Sequence, residues 1–154
     1  MKKLVKTISV ALMLLISFSC TDKLKEHEAV RRIVNETAFD VKVMVFSDED
    51  SPYYIGEIEA YDSIDIKGYC FTSAETYCSL GWEAHAPHGR IYFGTEKVQK
   101  FETPYDVNEK YINANPKSGK YGYVESNENG IDIYTYRITQ EDYENAEDCN
   151  GSCD

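Results

Sequence analysis

The sequence predicts an all-β fold: one sandwich-like antiparallel domain of about eight strands, ending in a short C-terminal helical turn. Three observations carry this expectation. Apolar residues recur with a period of two, most clearly where Phe39, Val41, Val43 and Val45 alternate with Asp40, Lys42, Met44 and Phe46. Turn residues punctuate such stretches at regular spacing, and Asn129-Gly130 is the strongest hairpin signal among them. A helix-start pattern stands near the end of the chain, at Thr139-Gln140-Glu141-Asp142: a hydroxyl cap, an acid three residues later and acids in the first turn.

Taken in order, Thr21 to Ala29 (TDKLKEHEA) is polar and reads as a tether. Val30–Val34 is a short first strand, and Asn35-Glu36-Thr37 turns the chain into FDVKVMVFS. SDEDSP breaks the pattern with acids and a proline. YYIGEIEA and SIDIKGY form the next pair of strands around Ala60-Tyr61-Asp62. Alternation dissolves from Gly68 to Gly89, too long for a hairpin loop, and a short strand is expected over Leu80–Ala84. RIYFGTEKVQKFE is a hairpin about Gly94-Thr95. Pro104 opens a second irregular stretch anchored by Tyr105, Tyr111 and Ile112. KYGYVES and IDIYTYRI flank the Asn-Gly turn, and Tyr143 is expected to dock on the sheet.

The first residues obey a different rule. Lys2, Lys3 and Lys6 precede an apolar run from Ile8 to Phe18, broken only by Ser9 and Ser17, and no acid occurs before Asp22. That run is eleven residues long, against roughly 20 needed to span a bilayer. A basic start, a short apolar middle and small residues before a cysteine make a secretory leader. The residues Ser17-Phe18-Ser19-Cys20 resemble a bacterial lipobox, departing from it in having Ser17 where leucine is commonest. The resemblance implies cleavage before Cys20 and lipid on its thiol. It divides the chain into a cleaved leader (1–19), a lipidated tether (20–29) and one sandwich-like domain (30–154). The place it implies is the cell envelope, as an outer-membrane lipoprotein. Only Asp22 is acidic between Cys20 and Lys23, so an acid-rich surface-export signal is not evident and a periplasm-facing position is expected.

Without the leader 135 of the 154 residues remain, enough for one domain with a core. The leader holds three of the 16 basic residues and none of the 27 acids, leaving 13 against 27 and a net charge of −14. Such a surface repels phosphate backbones, so nucleic acid is excluded as a partner. The expected contacts are the membrane, through the anchor, and a protein or glycan of the envelope.

Beyond Cys20 stand Cys70, Cys78, Cys149 and Cys153, which in an exported chain suggest disulfides. Closeness in sequence favours Cys70–Cys78 and Cys149–Cys153, with Cys78–Cys149 as the rival. The C-x-x-C spacing of redox and zinc sites is absent.

VNETAFDVKVMVFS, APHGRIYFG and YTYRITQEDYENAE are similar to stretches of a group of small Bacteroidota lipoproteins without assigned activity. That group shares an Asn-x-Thr opening, a proline ahead of an I-x-F strand, and a Tyr-rich strand running into Thr-x-x-Asp-Tyr-x-x-Ala, here Thr139, Asp142, Tyr143 and Ala146. The resemblance covers nearly the whole domain and implies an all-β unit on a lipid tether. The four cysteines are not part of its pattern.

Candidate chemistry is sparse. His85 and His88 are spaced to share a metal, but zinc generally takes three or four protein ligands and no third is evident. Glu125 to Gly130 begins like a calcium loop, yet the twelfth position, a glutamate in such loops, is Tyr136. Neither a G-x-S-x-G elbow nor a phosphate-binding glycine loop occurs, so no catalytic residue and no cofactor are expected. Tyrosine is the strongest bias. Tyr121 and Tyr123 would share one strand face, and Tyr134 and Tyr136 one face of its neighbour. Such a cluster stabilises a sheet by cross-strand contact; with Trp82 it could instead form a glycan platform. The expected function is a non-enzymatic binding or interaction module, with a glycan-binding module and an unrecognised hydrolase as alternatives.

Overall fold

A computed structural model describes residues 25–48, 51–72, 77–80, 86–104, 106, 109–114, 116, 121–151 and 153. They form a mostly β structure of two five-stranded sheets and one short helix, consistent with a sandwich. The strands are β1 (Lys25–Asn35), β2 (Val41–Asp48), β3 (Ser51–Ile58), β4 (Ser63–Thr72), β5 (Tyr77–Ser79), β6 (His88–Phe93), β7 (Lys97–Glu102), β8 (Tyr123–Glu128), β9 (Ile131–Ile138) and β10 (Glu147–Asp148); α1 is Gln140–Asn145. The first sheet runs β5-β4-β1-β9-β8 and the second β10-β7-β6-β2-β3.

Several expectations change in detail. The first strand begins at Lys25, so the last five residues assigned to the tether lie in the sheet, paired with β4. Their polarity hid them, because Glu26 and Glu28 are exposed. Pairing of β1 with β9 is parallel, the one departure from an antiparallel scheme among the described strands. A short strand not expected from the sequence, β5, ends at Ser79; of the strand expected over Leu80–Ala84, residues 81–84 lie outside the described residues. With β10, β5 brings the described strands to ten rather than about eight; at three and two residues, neither is long enough to show alternation.

The core follows the alternation. Val41, Val43 and Val45 are buried, as are Ile33, Ile91, Phe93 and Ile138 on the strands around them. Phe46, on the opposite parity, is also buried, at a register shift in the β2–β3 ladder, with the Arg90 guanidinium over its ring. At the end of the sandwich where β1 finishes, Asn35 is fully buried and bonded to the chain on both sides. At the other end, Asn129 and Gly130 have φ of +55° and +88°, the double left-handed turn that favours Asn-Gly. Gly130 N–H donates to Asn127 Oδ1 at 3.0 Å, so the hairpin accounts for the residues that imitate a calcium loop.

Disulfides join Cys70 to Cys78 and Cys149 to Cys153, the pairing that sequence proximity favours. Cys70 and Cys78 face each other across the β4–β5 ladder and are buried. Replacing both by alanine is expected to lower stability by about 2–3 kcal/mol, since the bridge closes a short loop in the unfolded chain. Thermal unfolding checks this; a change under about 0.5 kcal/mol, the size of an ordinary surface substitution, would contradict it.

Candidate functional site

The residues singled out in the sequence do not assemble into one site. Tyr123, Tyr134 and Tyr136 are 5%, 0% and 0% exposed, and Tyr121 is partly buried against the same core. A glycan platform on these rings is therefore corrected: their faces are spent on packing. Tyr123 and Tyr136 are cross-strand partners with ring centroids 5.2 Å apart, and Tyr123 donates its hydroxyl proton to Ile112 O at 2.6 Å. Alternation placed Tyr134 and Tyr136 on one face, and the second sheet makes that face the interior; Tyr121, expected on one strand face with Tyr123, stands instead in the turn ahead of β8 with φ of +59°. His88 opens β6 and is partly buried. Cys20, Trp82 and His85 lie outside the described residues, and among the described residues no group of three or more His, Cys, Asp or Glu is arranged to hold a metal.

A cleft forms elsewhere, along the edge of β7, with a volume of about 790 Å³. One side is β7 itself, from Gln99 to Glu102. The opposite wall comes from the β7–β8 connection, through Glu109, Lys110 and Tyr111, and from the start of α1.

Local sequence builds that wall. Thr139 caps α1, and Asp142 completes a capping box. Asp142 Oδ2 accepts from Thr139 N–H at 2.7 Å, from Thr139 Oγ at 2.8 Å and from Lys110 Nζ at 2.5 Å. Lys110 also donates to Arg137 O at 2.7 Å and sits 5.1 Å from the Tyr136 ring centroid. This one carboxylate thus ties the helix to a connection 32 residues earlier. Tyr143 then docks as expected, stacking on Phe39 at 4.3 Å with its edge toward Phe93. Tyr111 packs its ring on Phe101 and donates its hydroxyl proton to Glu109 Oε2 at 3.0 Å.

The electrostatics of the cleft are one-sided. Five carboxylates and two lysines line it. Lys110 is paired with Asp142, and Lys100 with Glu147 at 2.8 Å. Among the described residues, Glu102, Glu109 and Glu141 have no cationic partner. Asp142 is held in hydrogen bonds, while the exposed Glu102, Glu109 and Glu141 carry negative charge that no lysine or arginine matches among the described residues, an arrangement suited to holding a cationic ligand. Sequence reading found the Thr139–Asp142 cap but missed the cleft, because Lys110, Gln99 and Glu102 meet α1 only through tertiary contacts. Compared with known proteins, the chain matches no protein-family model, no curated protein and no solved structure.

Proposed function

We propose that this protein is a lipid-anchored binding module of the bacterial cell envelope, an outer-membrane lipoprotein facing the periplasm that acts by contact with a partner rather than by catalysis. The observation that carries the reading is Cys20, directly behind a secretory leader and five residues ahead of the first strand at Lys25. At about 3.5 Å per extended residue, the tether holds the Lys25 end of the sandwich within roughly 17 Å of the lipid. The β8–β9 turn shares that end, while α1 and the second disulfide lie at the other, so the membrane leaves them open to a partner. Two disulfides agree with an oxidising compartment. Several acyl chains on one cysteine anchor a protein stably, whereas one chain is marginal, so the folded part is free to serve recognition alone.

Replacing Cys20 by serine tests the anchor. In a bacterial host fed labelled palmitate, the native chain should incorporate label and fractionate with membranes, and Cys20→Ser should do neither. If both chains fractionate alike and neither takes up label, the envelope reading fails. Crosslinking of the native chain in cells should recover an envelope partner.

A further inference from the structure

We infer that the open edge of β7 is a docking edge for an extended cationic peptide segment of a partner, which adds to the second sheet as a strand where β10 stops. This deepens the binding-module reading and rests on it.

The chain already shows that this edge accepts a strand. β10 pairs antiparallel with β7 for two residues, Glu147 opposite Val98 and Asp148 opposite Lys97. Cys149 N–H continues the ladder by donating to Glu96 O at 2.8 Å. In the other direction β10 cannot continue: the position opposite Lys100 would fall to Asn145, the last residue of α1. The cleft begins where that pairing ends.

Register says which groups of β7 are on offer. In an antiparallel ladder, alternate residues direct both N–H and C=O to the same neighbour. Thr103 N–H donates to Pro87 O on the β6 side, so Phe101 and Gln99, on the same parity, also face β6. Val98 faces β10, so Lys100 and Glu102 direct their main-chain groups outward, into the cleft. Among the described strands none pairs with them from that side. Natural sheets cover or blunt such an edge, or use it to bind.

Charge selects the occupant. Side chains of an added strand would alternate between the side of Gln99 and Phe101 and the side of Lys100 and Glu102. Glu109 lines the cleft across from the first and Glu102 stands at the second, with Glu141 at the helix start, while Glu147 is held by Lys100. A neutral peptide would use the main-chain groups alone; lysine or arginine at alternate positions would also meet the unmatched carboxylates. An acidic peptide would be repelled by them and by the charge of −14 carried by the chain without its leader.

The test uses three synthetic peptides on the full chain purified in detergent, with affinity read by calorimetry: an alternating lysine–valine octamer, the same octamer N-methylated at alternate amides, and a glutamate–valine octamer. The first should bind. The second, with unchanged charge but no ladder, should bind at least tenfold more weakly, and the third not measurably. On binding the first, amide exchange at Lys100 and Glu102 should slow. Lys100→Pro, which removes an outward N–H and leaves the β6 ladder intact, should abolish binding with the fold retained; should it unfold, the N-methylated comparison on the native chain decides. Equal affinity for the first two peptides, equal affinity for the first and third, or no binding of the first overturns the inference. Recovery of an envelope partner by crosslinking with no peptide binding would sink the edge and leave the module. Peptide binding together with membrane fractionation that ignores Cys20→Ser would do the reverse.

Discussion

Asn35→Ala is expected to lower the midpoint of thermal unfolding by about 10–15 °C, from a loss of roughly 3–4 kcal/mol in a domain of this size. Asn35 is fully buried where β1 ends. Its Nδ2 donates to Phe39 O at 2.7 Å and Glu59 O at 2.9 Å, with a longer contact to Ile58 O. Its Oδ1 accepts from Thr37 N–H at 3.0 Å and Thr37 Oγ at 2.7 Å. One side chain therefore joins the end of the first sheet to the β1–β2 loop and to the end of β3 in the second. Alanine leaves the buried Thr37 N–H without a partner, which costs about 1–3 kcal/mol, and removes one of two donors from Phe39 O and from Glu59 O, which keep Thr37 Oγ and Asp62 N–H, at about 1 kcal/mol for each bond lost. Thr37→Val should cost less, about 1 kcal/mol, because the main-chain donor to Asn35 remains. Asn35→Asp keeps the acceptor but loses both donated bonds and buries a charge, so it should be no milder than alanine. Scanning calorimetry checks the series, and a fall of less than about 3 °C for Asn35→Ala would show that the joint is not structural.

This joint is one of two sequence motifs whose work the fold makes plain. The Asn-x-Thr opening is the Asn35–Thr37 knot, and Thr-x-x-Asp-Tyr-x-x-Ala is the cap and dock of α1. Both stand at the same end of the sandwich and both serve to close it. Both act in folding, and neither contributes the open edge of β7.

What the sequence showed and what it hid divide along one line. Val41, Val43 and Val45, the Asn129-Gly130 hairpin, the Thr139 cap and both disulfides depend on neighbours in sequence, and all were legible. Arg31 was not. It is fully buried, whereas the adjacent Arg32 lies outside, bidentate to Asp65 at 2.8 and 2.9 Å and bonded to Glu128 at 3.0 Å. Val30 and Ile33 are both buried although they point to opposite faces, so alternation within β1 cannot say which arginine turns inward. Only the second sheet decides. Tyr134 and Tyr136 met the same limit: period two grouped them correctly but could not say whether their face looked at water or at another sheet. The cleft lies at the far limit, since the edge of β7, α1 and Lys110 come together only after both sheets have formed.

Those buried groups make stability depend steeply on alkaline pH. Burial pushes the Tyr123 hydroxyl up from 10.0 to about 12, with the nearby Arg31 charge opposing. Burial also raises Tyr134, helped by Glu125 and Asp132, and raises Tyr136, helped by Asp142. In the unfolded chain these phenols release protons near pH 10, while in the folded protein they hold them, so above that pH the unfolded state binds fewer protons and stability falls. Arg31 acts in the opposite sense. Burial lowers it from 12.5 to about 10, so between those values the unfolded chain holds the proton that the folded one has released. Tyr54, Tyr111 and Tyr143 are raised in the same sense as these three, so the tyrosines outnumber the one arginine by at least about two protons, or roughly 3 kcal/mol or more lost per pH unit above pH 10. Urea unfolding from about pH 9 to about pH 11, with tyrosinate absorbance followed alongside, reads this slope. Tyr136→Phe separates it from general charge repulsion. The Tyr136 hydroxyl is buried with no hydrogen-bond partner among the described residues, so its removal should be neutral or stabilising at neutral pH. The same substitution should flatten the alkaline slope by about one proton. A slope unchanged by Tyr136→Phe, or tyrosinate forming fully before the fold is lost, would mean that water reaches these rings.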